Sequence, residues 1–110
     1  MKGDVLGEFE EIILLIVGVL GQDAYGLGIR DELEKQTGRS AAIGAVHATL
    51  NRLQEKGYVE SGMTEGTQER GGRRKRVFQM TGLGKKALIE SKDVRVNLWS
   101  QLPDLNVGKI

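Results

Sequence analysis

A chain of 110 residues, 39% hydrophobic and 28% charged, has room for one small core and the composition of a globular domain. It contains no cysteine, which excludes disulfides, thiolate metal sites and cysteine nucleophiles, and a single histidine, His47, which leaves no His-based metal site or catalytic pair. The formal charge is +1, yet Arg70, Arg73, Arg74, Lys75 and Arg76 place +5 within seven positions, leaving −4 for everything else.

The first predicted element is a buried helix from Glu8 to Leu20. Glu8, Glu10 and Glu11 in its first turn complement the helix dipole, and Gly21 stops it. Its apolar run, Ile12 to Leu20 with Gly18 inside, is nine residues, whereas a membrane span needs about 20. The acidic segment ahead of it is the opposite of a basic secretory leader, so the expected location is cytoplasmic, with no membrane partner. Asp23 is placed to cap a second helix in which Tyr25, Ile29 and Leu33 recur every four residues, with Gly38 suited to the left-handed position after it. Gly26-Leu27-Gly28 lies inside this pattern and lacks the rest of a dinucleotide fingerprint. No other phosphate loop, paired carboxylate or nucleophile motif is present. An enzyme is therefore not expected, and neither are a cofactor or a metal.

A third helix is predicted over about 41–56, with Ser40 as its cap and Gly57 closing it. Ile43, Val46, Leu50 and Leu53 fall within about 80° of arc and form its buried face. The opposite face begins with Ala41, Gly44, Ala45 and Ala48, followed by Asn51 and Arg52. Small residues there let the helix backbone approach something large and flat. High helix propensity alone does not account for Gly44, which costs about 1 kcal/mol against alanine in a helix interior.

Beyond Gly57 the period changes to two. Tyr58–Met63 and Arg76–Met80 read as strands of an antiparallel hairpin. The connecting stretch, Thr64 to Lys75, is longer than the usual two to five residues. It contains Gly66, Gly71 and Gly72 and no apolar side chain able to dock it. Thr81 caps a fourth helix running to about Leu102, where Pro103 stops it. Leu83, Ala87, Leu88, Val94, Leu98 and Leu102 give that helix an apolar stripe. Its distal part, with Leu98, Trp99 and Leu102, extends past what three helices can cover and is expected to meet another chain.

Three helices, a hairpin with a cationic tip and a further helix are the order of a winged helix-turn-helix. The expected fold is mainly α with a small antiparallel β hairpin. Residues 1–81 form the DNA-binding domain and 82–110 a C-terminal dimerisation helix and tail. Alone, the basic run reads equally well as a solvated loop. In a winged helix it becomes a wing, about 64–76, whose field decays over roughly 8 Å and suits a phosphate backbone. The third helix enters the major groove, and wing arginines favour the backbone or the minor groove. The residues expected to face DNA are Ser40, Gly44, His47, Thr49, Asn51 and Arg52 on or beside the helix, and Arg70, Arg73, Arg74, Lys75 and Arg76 on the wing. Asn51 suits adenine and Arg52 suits guanine or phosphate, with pairing to Glu55 as the alternative for Arg52. A winged-helix module that binds protein is the other reading, but it would expose apolar anchors on its third helix and need no basic wing.

Ala24-Tyr25-Gly26, the block Ile43–Leu50 with Arg52–Gly57, and Gly72–Thr81 together resemble the PadR family of bacterial transcriptional regulators. The similarity runs from Leu6 to about Leu102 and fits the compact subgroup with one C-terminal helix. The resemblance implies a homodimer held by that helix, a roughly palindromic double-stranded operator, and repression as the usual outcome. Three positions depart from the family's habit. His47 stands where tyrosine often meets the backbone, leaving a phosphate contact and simple boundary packing both open. Val77-Phe78 replaces a common tyrosine pair, and Gly82 a frequent proline. Some members bind aromatic or cationic drugs between their C-terminal helices, so Trp99 is either dimer packing or a stacking surface for a small aromatic effector.

Overall fold

The computed structural model describes residues 6–64 and 74–104. Its elements are α1 (Glu8–Leu20), a 3-10 turn (Gly21–Asp23), α2 (Gly26–Thr37), α3 (Ile43–Glu55), β1 (Val59–Met63), β2 (Arg76–Met80) and α4 (Gly82–Ser100). This is the mainly helical, single-hairpin architecture expected of a winged helix.

α1 starts where Glu10 reaches back to accept the Gly7 N–H at 2.8 Å, which satisfies one orphan donor of the first turn. Ile13, Leu14, Ile16 and Val17 are its buried stripe. The cap predicted for α2 is corrected: Asp23 lies in the 3-10 turn, and α2 is capped by Tyr25 with an extended backbone. The cause is tertiary. Ala24 accepts the Phe78 N–H at 2.9 Å and Tyr25 forms an isolated antiparallel bridge with Val77, so the backbone here is held extended beside β2. No helix can begin until Gly26. At the other end, Gly38 adopts φ +74° and donates to the Glu34 carbonyl at 2.8 Å, as expected.

α3 begins two residues later than predicted. Its cap is Ala42, in extended conformation and without a side-chain bond, not Ser40. Ala41 is half-buried and packs against the core, which keeps this stretch extended. Val46, Leu50 and Leu53 are fully buried; each should stabilise the fold by roughly 1.5–3 kcal/mol. Gly57, at φ +82°, turns the chain into β1. The hairpin register runs from Val59↔Met80 to Met63↔Arg76, and Thr64 extends it by donating to the Lys75 carbonyl at 2.7 Å. Phe78 is fully buried and joins the sheet to the helical core.

Thr81 caps α4 as predicted, its hydroxyl accepting the Gly84 N–H at 3.0 Å while donating to the Gly57 carbonyl at 2.7 Å. Gly84 allows α4 to sit directly on β1, since a Cβ there would overlap the Tyr58 carbonyl oxygen. Only Gly84 and Leu88 of α4 are buried, and every residue from Lys92 to Asp104 is exposed. No helix among the described residues is long and apolar enough to cross a membrane.

Candidate nucleic-acid interface

The outward face of α3 is formed by Gly44, Ala45, Ala48 and Asn51, all exposed. Thr49 does not belong to it. It is 1% exposed, and its hydroxyl oxygen receives Arg52 Nη2 at 3.1 Å. At 100° per residue Thr49 lies about 40° beyond Leu53, just outside the apolar arc, and the core closes over that edge as well. Ser40 is exposed but three residues ahead of the helix, where its hydroxyl lies 3.5 Å from Glu34 Oε2. His47 is half-buried at the edge of the face, its ring seated on Gly26. A Cβ on Gly26 would lie 2.7 Å from His47 Nε2, and the imidazole also tilts against Phe78 at 6.5 Å between centroids.

Arg52 is committed to a partner far away in sequence. Its Nε lies 3.4 Å from Glu10 Oε2, while Lys56 Nζ reaches Glu10 Oε1 at 2.9 Å. The Glu55 alternative for Arg52 is not formed. Burial alone would raise the Glu10 carboxyl. The Gly7 N–H, the Lys56 ammonium and the Arg52 guanidinium outweigh it and hold the group below the ordinary carboxylate range. Glu10 thus ties the start of α1 to the C-terminal end of α3 and pairs with both Lys56 and the more exposed Arg52.

Of the predicted wing residues, Arg70 and Arg73 lie outside the described residues. The other three are all engaged at the wing root. Arg74 is exposed and donates through Nε to the Thr64 carbonyl at 3.1 Å. Lys75 exchanges two backbone–hydroxyl bonds with Thr64 and sets its ammonium 4.7 Å above the Tyr25 ring. Arg76 is a brace: Nε donates to Ser61 at 3.1 Å, Nη2 donates to Gln54 of α3 at 3.1 Å, and the guanidinium lies over Phe78 at 4.8 Å. Three contributors were missed by sequence reasoning. Glu10 had a signal, a charge set two residues before the apolar run of α1. Gln54 and Tyr25 had none, because their partners come from other elements.

Leu98, Trp99 and Leu102 are 58%, 71% and 50% exposed, on a helix held to α1 by the Arg95–Glu11 ion pair at 3.1 Å. Leu15 and Val19 of α1 are exposed as well. Among the described residues no cluster of three or more histidines or carboxylates could hold a metal ion.

A three-helix core, a hairpin pinned to the third helix and a small-faced outer surface on that helix define a winged helix-turn-helix protein. Comparison with known proteins narrows the class. Residues 13–90 match the model of the transcriptional regulator PadR-like family, and the chain belongs to that family. A PadR-like transcription factor from Bacteroides fragilis is 25% identical with a TM-score of 0.69, the match covering 84% of each chain. The hsRosR-S4 complex is 29% identical with a TM-score of 0.60, over 91% of this chain and 77% of that one. PadR from Bacillus subtilis, solved with operator DNA, shares the fold at 19% identity and a TM-score of 0.60, over 89% of this chain and 50% of that one. No curated protein matches the sequence closely.

Proposed function

We propose that the chain is a homodimeric DNA-binding repressor of a roughly palindromic operator. Residues 1–81 grip DNA and residues 82–110 join two copies. α3 enters the major groove and the wing lies on the backbone or in the minor groove. The observation that carries this reading is the uncharged, small outward face of α3 tied through Gln54 to a cation-rich wing root. The family assignment and the operator complex of the Bacillus subtilis protein support it. The exposed Leu98, Trp99 and Leu102 supply an apolar face for a second copy, and two-fold symmetry then dictates a palindromic site.

The wing cations divide by task. Arg70, Arg73, Arg74 and Lys75 hold phosphates without choosing sequence, whereas Arg76 holds the wing to α3. A gel-shift titration against salt, using DNA from upstream of the protein's own gene and a random competitor, tests this. The double variant Arg73→Ala/Arg74→Ala removes four contacts per dimer. It should flatten the log–log salt slope by about 3.6 and weaken specific and random DNA alike. Arg76→Ala should leave the slope unchanged and lower the unfolding midpoint. A wild-type slope in the double variant would remove the wing from the interface, and no retardation of either DNA would overturn the DNA-binding reading.

A further inference from the structure

We propose that α3 reads two adjacent A·T base pairs in each half-site, with Asn51 holding an adenine and Ala48 packing on the thymine methyl of the neighbouring pair. This rests on the DNA-binding reading above and adds to it what the groove-facing helix selects.

The inference follows from which side chains remain available. A recognition helix reads base edges with polar groups that reach out of it, and on α3 almost all of these are already engaged. Thr49 is buried and bonded to Arg52. Arg52 and Lys56 are drawn back to Glu10. Gln54 accepts from Ser61 at 2.8 Å and from Arg76. His47 is turned onto Gly26 at the edge of the face. Glu55, the last residue of the helix, has the wrong sign to lie against phosphates and marks where α3 leaves the groove. Asn51 is the one exposed amide on the outward face and has no hydrogen-bond partner among the described residues.

Side-chain chemistry then selects the base. Reading guanine favours an arginine or lysine bidentate to O6 and N7, and no uncommitted cation stands on this face. The asparagine amide matches adenine, donating to N7 and accepting from the N6 amino group. Ala48 precedes Asn51 by three residues on the same face. Their Cβ atoms are therefore about 5–6 Å apart, and successive base pairs rise about 3.4 Å, so the two side chains fall on neighbouring pairs. An alanine methyl can distinguish one base from the others through the thymine 5-methyl group. Both side chains are short and reach the base edges only if the helix backbone comes close. Gly44, one turn earlier on the same face, permits that: it carries no side chain and, beyond its chain neighbours and own helical backbone, no described atom lies within 4 Å of where its Cβ would be.

The test begins with selection of sites from a random-sequence DNA pool by the full chain, followed by atom-level changes in the selected duplex. Replacing the contacted adenine by 7-deaza-2′-deoxyadenosine, which removes N7 and so one of the two bonds, should weaken wild-type binding by about 2- to 12-fold per half-site. Replacing the adjacent thymine by deoxyuridine, which lacks only the methyl group, should weaken it about fourfold. Asn51→Ala should abolish the first effect and Ala48→Gly the second. The modified duplexes are read with the wild-type chain, so the outcome does not depend on how well a variant folds. Enrichment of half-sites lacking adjacent A·T pairs, or selected sites indifferent to both changes at every adenine and thymine, would overturn the inference and leave DNA binding intact. A pool from which no sequence is enriched, by a chain that retards no DNA at low salt, would overturn both.

Discussion

Gly44→Ala separates what α3 does for the fold from what it does for DNA. Beyond its chain neighbours and own helical backbone, the added methyl group meets no described atom within 4 Å, so it introduces no tertiary clash. Gly44 is the second residue of α3, in ordinary helical backbone, where alanine restricts the unfolded chain more than glycine does. The expected gain is about 0.5–1 kcal/mol. For a domain of this size that is a rise of about 2–6 °C in Tm at fixed protein concentration. Towards DNA the sign reverses. The methyl group stands off the face that must come closest to the groove floor and strains a contact of roughly hydrogen-bond value. Affinity should therefore fall about five- to tenfold. Circular-dichroism melting and gel shift on the same preparation measure both effects. Gly84→Ala is the control, the identical chemical change placed against the Tyr58 carbonyl, and should destabilise by about 1–3 kcal/mol. A Gly44→Ala chain that melts higher but binds DNA as tightly as wild type would refute the placement of this turn in the groove; one that melts lower would refute the open geometry around it.

Two further substitutions probe the contacts that set α3 in place. Glu10→Gln keeps the shape and removes the charge between Arg52 and Lys56. Arg52 is more than half exposed and screened, so the loss should be modest, about 1–2 kcal/mol at pH 7. The folded Glu10 carboxyl titrates below its ordinary value of about 4.3. Its contribution is thus complete above that pH and disappears as pH falls through the lowered value. Urea unfolding should show wild type and variant differing at pH 7 and converging as pH falls below the carboxylate range, and a difference unchanged by acidification would exclude the charge as its source. Gly26→Ala should drive its new methyl group into the His47 ring and cost about 1–3 kcal/mol. Adding His47→Ala should recover most of this, and strictly additive losses in the double-mutant cycle would place the strain elsewhere.

The order of elements was readable because each helix carries its own apolar period and the glycines at 38 and 57 stand where the chain needs left-handed backbone. The Thr81 cap was readable for the same reason, since its partner Gly84 is three residues away. What escaped depended on distant residues. Tyr25 caps α2 because β2, some 50 residues on, claims its backbone. Arg52 and Lys56 look like outward cations until Glu10 arrives from 42 and 46 residues earlier. Arg76 belongs to a basic run by composition, yet Gln54, 22 residues back, makes it a brace. Thr49 was a different error, an angular one. Thr49 lies about 40° outside the arc of the four apolar positions, at the edge of the helix, where the wheel alone does not decide between core and surface. The Arg52 bond to its hydroxyl lets it be buried.

The bond from Phe78 N–H to the Ala24 carbonyl makes the segment from Gly21 to Ala24 a stiff coupling. α1 ends on one side of it, α2 starts on the other, and the return strand of the wing is fastened to its last residue, Ala24, and to the adjoining Tyr25. The α1–α2 corner is therefore joined to the wing root directly through the backbone, by a route that does not pass through α3.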